Sequence, residues 1–146
     1  MATINEILKK KGHEVHKVDP GDNVYDAIES MVAHGVGSLL VVEGDDIKGI
    51  FTERDYLGKI ALKGRSSRET RVSDIMSEQL LFVETDHEVS EALAIMTEAR
   101  IRHLPVMEKG RLAGLVSIGD CVKQISRERK AQLRYLTDYI NDKYPG

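Results

Sequence analysis

The sequence has no tryptophan and only two phenylalanines and five tyrosines among its 146 residues. Its core must therefore be built from Val, Ile, Leu, Ala and Met side chains. The single cysteine, Cys121, excludes an intrachain disulfide and fits a reducing compartment. No apolar run approaches the roughly 20 residues of a membrane-spanning helix, and the N-terminus lacks the pattern of a signal peptide. We expect a cytoplasmic protein without a membrane partner.

The sequence also lacks a marked excess of either acidic or basic residues. The 21 basic and 24 acidic residues are mixed along most of the chain and give a net charge of −3. A protein that binds nucleic acid usually carries a basic face, so no nucleic-acid partner is expected. The length suits one compact domain or two small ones that share a core.

An internal repeat organises the chain. The stretch Gly-Ile-Phe-Thr-Glu-Arg-Asp from Gly49 to Asp55 returns as Gly-Leu-Val-Ser-Ile-Gly-Asp from Gly114 to Asp120, an offset of 65 residues. The same offset aligns roughly forty positions without a gap, which indicates a true repeat. Neither half can bury its apolar faces alone, so we expect the halves to pack about a pseudo-twofold axis.

Periodicity predicts an α/β fold in which each half runs strand, helix, strand, strand, helix. The predicted segments are an N-terminal helix (1–12), a first repeat (13–63), a linker (64–73), a second repeat (74–126) and a C-terminal helix (127–146). Within the first repeat we predict a strand over 13–18, Asp22 as a helix N-cap, and a helix over 54–62. The C-terminal helix carries an apolar stripe formed by Leu133, Leu136, Tyr139 and Ile140.

The two copies of Thr/Ser-x-x-Asp have two interpretations. Thr52 with Asp55, and Ser117 with Asp120, fit a capping box at the start of a helix. The same geometry suits an adenosine ligand, with the acid on the ribose and the hydroxyl and helix N-terminus toward a phosphate. Two copies at equivalent places favour ligand binding, and capping and binding are compatible.

The repeat order, both motifs and the stretch Arg-Ile-Arg-His-Leu-Pro-Val from Arg100 to Val106 resemble the cystathionine-β-synthase (CBS) domain family. The resemblance covers about Val15 to Ser126. It implies a tandem CBS pair, or Bateman module, that binds adenine nucleotides in clefts between the repeats. Family ligands include AMP, ADP, ATP, S-adenosylmethionine and, in some small stand-alone bacterial members, NAD. The Thr-Glu-Arg-Asp-Tyr and Arg-Ser-Ser segments are most similar to that stand-alone group.

The resemblance also implies site residues. Asp55 and Asp120 match the ribose-binding aspartates, and Thr52 and Ser117 match the hydroxyls near the first phosphate. The residues implied for the first cleft are Val18, Val36, Gly37, Ser38, Ile50, Thr52, Arg54, Asp55, Arg102 and His103, with Val18, Val36 and Ile50 as apolar walls about the adenine. Those implied for the second are Val83, Ile101, Leu115, Ser117 and Asp120. Further candidates for phosphate contact are the linker residues Lys63, Arg65, Ser66 and Ser67.

The two clefts are not equal. Arg102 and His103 correspond to uncharged residues in the first repeat, and Arg54 corresponds to Gly119 in the second. Because the family arrangement points Arg102 and His103 at the cleft that Asp55 closes, a phosphorylated ligand should favour that cleft. The alternative is that these cations form only the solvated end of a helix. No metal site is expected, since His13 and His16 form an isolated His-x-x-His with no third ligand nearby.

These observations favour a non-enzymatic sensor that binds AMP-type nucleotides, with AMP first and ADP, ATP or NAD as further candidates. A ligand that bridges the repeats would alter their relative angle, and so the surface offered to an unidentified effector protein. The resemblance implies a homodimer. One alternative is a nucleotide-processing enzyme, but the clefts offer only His103 as a base, so no catalytic residue is assigned. Another is a structural dimerisation module with vestigial pockets.

Overall fold

The computed structural model describes residues 2–143, with side chains described through Gln132 and at Arg134. The predicted apolar stripe of the C-terminal helix lies outside the described side chains. Contacts divide the chain into two compact units, one formed by Met1–His13 with Phe82–Gly146 and the other by Glu14–Leu81. Each unit is an α/β structure with its own three-stranded sheet, which confirms the predicted fold class.

The Glu14–Leu81 unit contains the first set of elements. They are β1 (Lys17–Val18), α2 (Val24–His34), β2 (Ser38–Glu43), β3 (Asp46–Thr52), α3 (Glu53–Tyr56) with a π-helical turn (Leu57–Ala61), and α4 (Val72–Ile75). The sheet has the order β1-β2-β3, with β1 parallel and β3 antiparallel to β2. Side chains alternate across a strand, so one face carries Leu39, Val41 and Phe51 into a core that α2 and α4 close.

The other unit repeats this plan. Its elements are α1 (Ile4–Lys11), β4 (Val83–Glu84), α5 (Val89–Ala99), β5 (His103–Glu108), β6 (Arg111–Ser117) and α6 (Ile118–Lys143). The sheet order β4-β5-β6 and the strand directions match those of the first sheet. Each sheet also has one irregularity at an equivalent place, after Val41 and after Val106. The repeat predicted from the sequence is therefore a repeat of structure down to the strand register.

Three predicted boundaries were wrong in detail. The strand predicted over 13–18 is reduced to Lys17–Val18, because β1 pairs with only two residues of β2. The N-cap of α2 is Asn23 rather than Asp22, since Asn23 Oδ1 accepts the backbone N–H of Asp26 at 2.8 Å. The helix predicted over 54–62 is one α-helical turn followed by the π-helical turn, which ends with a bond from Leu62 N–H to Leu57 O of 3.0 Å.

The last helix does not break where a separate C-terminal helix was predicted to begin. α6 runs from Ile118 to Lys143 as one helix of 26 residues. The reason is visible in the sequence, which has neither proline nor glycine between Asp120 and Lys143. Among the described residues, no helix combines the length and the apolar character needed to cross a membrane.

Candidate functional site

The first motif lies where β3 passes into α3. The Thr52 N–H donates to Asp55 Oδ2 at 3.0 Å, and the Thr52 hydroxyl donates to the same oxygen at 3.1 Å. In return, Thr52 Oγ1 accepts the backbone N–H of Asp55 at 3.2 Å. The capping box is therefore formed, and it fixes the Asp55 carboxylate in one orientation at the end of the strand.

Lys59 completes the first motif. Its ammonium lies 3.1 Å from Asp55 Oδ1 and donates to the carbonyl of Ile75 at 2.9 Å. The lysine side chain is 47% exposed, whereas the aspartate side chain is only 12% exposed. The carboxylate is thus held by protein donors on Oδ2 and neutralised on Oδ1 by a lysine that water can reach.

The chain that enters β2 lies beside this motif. Ser38 is buried and pairs directly with Thr52 in the sheet, and the Gly37 carbonyl accepts the Glu53 N–H at 3.1 Å. Val36, Gly37 and Glu53 line part of a surface groove with a volume of about 490 Å³. The structure therefore brings Val36, Gly37 and Ser38 to the first motif, next to open space.

The proposed adenine walls do not lie together. Val18 belongs to the core between the sheet and the helices, and Val36 packs against that core. Ile50 neighbours Phe51 on β3, and because Phe51 faces the core, Ile50 faces the opposite side of the sheet. The same alternation separates Val83, which pairs with Val106, from Leu115, which pairs with Pro105. Within each unit, the predicted apolar residues therefore line two different surfaces.

The second motif has the same backbone geometry at the junction of β6 and α6. The Ser117 N–H donates to Asp120 Oδ2 at 2.9 Å, and Ser117 Oγ accepts the Asp120 N–H at 3.1 Å. The Arg102 carbonyl accepts the Ile118 N–H at 2.9 Å, the counterpart of the Gly37 bond.

A lysine from the N-terminal helix lies on this second motif. Lys11, the last residue of α1, places its ammonium 2.6 Å from Asp120 Oδ2 and donates to the Leu115 carbonyl at 2.8 Å. The side chains of Lys11 and Asp120 are 39% and 19% exposed. Burial alone would raise the pKa of Asp120. The hydrogen bonds from Lys11 and Ser117 and the charge of Lys11 outweigh burial and lower it.

Arg102 and His103 belong to the surroundings of this same motif. His103 pairs with Ser117 in the sheet and is partly buried. Burial is the largest cause that lowers the pKa of His103; the charges of Lys11 and Arg102 lower it further, while Asp120 acts in the opposite direction. These groups therefore interact within one unit. The predicted approach of Arg102 and His103 to Asp55 concerns both units and stays a prediction, and Arg54 is exposed on α3.

The linker residues lie away from the first motif. The Ser67 carbonyl accepts the Tyr25 N–H at 3.0 Å, at the N-terminal end of α2, and the Ser66 carbonyl accepts the Thr70 hydroxyl at 2.7 Å. The motif lies beside the other end of α2, whose 11 residues span roughly 16 Å. The structure thus does not bring Ser66 and Ser67 to Asp55. Lys63 and Arg65 follow the π-helical turn and are exposed.

Sequence reasoning missed both lysines that pair with the motif aspartates. Lys59 follows Asp55 by four residues on a helix, and that spacing is a readable signal for an ion pair. Lys11 precedes Asp120 by 109 residues, so no local pattern could have found it. Among the described residues, no group of three or more side chains could hold a metal ion. The arrangement offers a fixed carboxylate, a hydroxyl and exchangeable cations, which suit the recognition of a diol and an anion.

Comparison with known proteins agrees with this geometry. A family model for the CBS domain matches residues 4–62 and 72–127. The chain belongs to the CBS-domain family. Both matched segments include the helix that precedes each repeat, α1 or α4, as well as its sheet and its motif.

Relatives of this CBS-domain chain are found among both curated proteins and solved structures. It is 42% identical to "CBS domain-containing protein CBSX3, mitochondrial" of Arabidopsis thaliana, over 97% of this chain and 73% of that protein. A CBS-domain structure from Burkholderia ambifaria MC40-6, described as a signal-transduction protein, is 50% identical with a TM-score of 0.82, covering 85% of this chain and 93% of that one. The CBS domain pair of protein MJ0100, solved with 5′-methylthioadenosine and S-adenosyl-L-methionine, shares the fold at 18% identity with a TM-score of 0.76, covering 88% of this chain and 98% of that one.

Proposed function

We propose that this CBS pair is a non-enzymatic sensor that binds an adenine nucleotide at its two Thr/Ser-x-x-Asp motifs. AMP is the first candidate, and ADP, ATP and NAD are further ones. The observation that carries the proposal is the matched geometry of the two motifs. In both, the hydroxyl residue's own N–H donates to the aspartate Oδ2, and the hydroxyl accepts the aspartate N–H.

This geometry suits a ribose because the capping bonds hold the carboxylate in one orientation, whereas the lysine bound to it can be replaced. Each aspartate is mostly buried, at 12% and 19% exposure, and its lysine partner is exposed enough to move away. A diol that makes two hydrogen bonds to the carboxylate can replace such a lysine, which then returns to water. The adenosine compounds held by the MJ0100 pair support the view that this fold accommodates such ligands.

Calorimetric titration with AMP, ADP, ATP, NAD and S-adenosylmethionine tests the proposal. We expect each of Asp55→Ala and Asp120→Ala to remove one binding event from the wild type, and the double variant to remove both. Loss of a capping partner costs about 1 kcal/mol, so thermal unfolding must first show that each variant is folded. Absence of binding by the wild type at millimolar ligand, or unchanged binding by the double variant, would reject the proposal. Conversion of the nucleotide during the titration would favour the enzyme alternative.

For signalling, we propose that nucleotide binding changes the conformation of the chain, and that a partner protein reads the change. A ligand shifts a conformational equilibrium only by its difference in affinity for the two states. The proposal therefore requires that occupied and empty protein differ in a measurable structural property. Hydrogen exchange with and without AMP should show changed protection in elements that do not contact the motifs, and identical exchange there would contradict it.

A further inference from the structure

The two motif aspartates take their lysine partners from different parts of the chain. In the first unit, Lys59 comes from the helix that the motif itself begins. Its counterpart in the second unit is Gln124, which is buried and points its amide toward Glu6 at 3.5 Å. The neutral Gln124 cannot neutralise Asp120, and Lys11 of α1 does so instead. The second motif therefore depends on an element outside its own repeat.

Lys11 contacts two residues that are predicted to belong to the second nucleotide site. Its ammonium bridges the carbonyl of Leu115 and the carboxylate of Asp120. Both residues are among those that the resemblance implies for the second cleft, with Asp120 as the ribose ligand. α1 is anchored by the buried side chains of Ile4, Ile7 and Leu8, so the backbone of Lys11 stays close to the motif. Only the exposed part of the lysine side chain is free to move.

We propose that Lys11 is the residue by which the second motif distinguishes phosphorylated ligands from nucleosides. This inference rests on the function proposed above. A nucleoside whose two ribose hydroxyls bond to both carboxylate oxygens of Asp120 displaces the ammonium from Oδ2 into water and offers it no partner. A nucleotide displaces the same ammonium but supplies a phosphate, which accepts strong charge-assisted bonds from it. Because α1 keeps Lys11 at the motif, its ammonium would turn from the carboxylate to that phosphate.

In the first motif, Lys59 also bridges its aspartate and a backbone carbonyl, but it binds the other carboxylate oxygen at a longer distance. Lys59 contacts Asp55 at 3.1 Å through Oδ1, whereas Lys11 contacts Asp120 at 2.6 Å through the same Oδ2 that accepts the Ser117 N–H. Lys59 is also the more exposed of the two lysines, at 47% against 39%. The longer distance between Lys59 and Asp55 makes this pair the weaker competitor for a ligand.

The test isolates the second motif in the Asp55→Ala background and compares adenosine with AMP as probes. Lys11→Met should increase the affinity for adenosine, because the competitor is gone, and should lower the ratio of AMP to adenosine affinity by at least about tenfold. Lys10→Met is the matched control, since it removes a neighbouring exposed charge from the same helix, and it should leave the ratio unchanged. Lys11→Arg should retain most of the discrimination.

Other outcomes reject this inference or the proposed function separately. An unchanged ratio in Lys11→Met, with both probes bound, overturns the role of Lys11 and leaves nucleotide binding intact. If the wild type binds AMP but the Asp55→Ala protein binds neither probe, with or without Lys11, the second motif is not a nucleotide site and the inference fails alone. If the wild type binds neither probe, the proposed function fails with it. A carboxyl NMR titration, in which Lys11→Met raises the pKa of Asp120, shows that the variant is folded and that the pair existed in solution.

Discussion

At the scale of single residues, helix capping and ligand binding would use the same carboxylate oxygens and hydroxyl group of each motif. Asp55 Oδ2 already accepts two hydrogen bonds from Thr52, so a ribose has to use Oδ1, which Lys59 occupies. On Asp120 the lysine lies on Oδ2 instead, beside the Ser117 N–H, so displacing Lys11 opens that oxygen to a ligand. The capping bonds orient each carboxylate, and the lysine is the partner that a ligand can exchange.

His103 should make the stability of the protein depend on pH. Burial lowers the pKa of His103 in the folded protein, and the nearby Lys11 charge lowers it further. As the pH falls through about 6.5, the unfolded chain binds this proton more readily than the folded protein, so the free energy of unfolding decreases. Urea denaturation between pH 7.5 and pH 5 measures the decrease. His103→Gln, which cannot titrate, should show a shallower decrease than the wild type, and equal slopes would contradict the assignment.

The sequence predicted the motif residues but only part of their environment. Thr52 and Asp55 could be found because they repeat at Ser117 and Asp120 with local spacing. Their hydrogen bonds follow from that spacing, as the capping-box interpretation required. The contact of Lys11 with Asp120 depends on how α1 packs against β6, which only tertiary structure decides. The prediction that Val18 and Ile50 share a pocket overlooked the alternation of side chains across the sheet.

At the scale of elements, the helices α2 and α5 end at equivalent residues, and the two residues differ in the free-energy cost of adopting the left-handed backbone conformation. Gly35 ends α2 in the left-handed conformation, with φ of 66°, and Arg100 ends α5 with φ of 57°. A side chain makes that conformation less favourable, so Arg100→Gly should stabilise the protein by about 0.5–1 kcal/mol. Denaturant unfolding measures the change.

The reciprocal variant is the control for this prediction. A Cβ added at Gly35 would meet no atom within 4 Å, so Gly35→Ala reports backbone strain without a clash. It should destabilise the protein by about 1 kcal/mol. Two changes of the same sign would show that something other than the backbone conformation of Arg100 and Gly35 dominates.

The elements of each repeat were predictable because both halves show the same hydrophobic periodicity at a constant offset of 65 residues. The antiparallel pairs β2–β3 and β5–β6 could be derived from apolar runs separated by short turns. The length of β1 could not, because a parallel partner far along the chain sets it. The π-helical turn at Leu57–Ala61 was missed as well, since its apolar spacing resembles that of an α-helix.

At the scale of the whole molecule, the predicted segments do not coincide with the compact units. The sequence predicts a separate N-terminal helix, yet α1 belongs to the unit of the second repeat. The bridge between Thr3 and Glu88 has its counterpart in the bridge between Arg71 and Asn23, so each unit is completed by a segment that precedes the other repeat in sequence. Such an exchange leaves no trace in local periodicity, which is why the sequence could not predict it.

The final prediction concerns the oligomer, which we propose is a homodimer formed through helices. Val32 on α2 and Leu57 on the following π-helical turn are 77% and 57% exposed and line the same groove of the Glu14–Leu81 unit. Exposed apolar patches of this kind mark protein interfaces, and a second copy of the chain would cover them. Val32→Asp with Leu57→Asp should therefore convert the dimer to a monomer in sedimentation equilibrium. Phe82→Asp removes an exposed apolar residue outside the helices and should leave the dimer intact. A wild type that sediments as a monomer at tens of micromolar, or a double variant that remains dimeric, would exclude this surface as the interface.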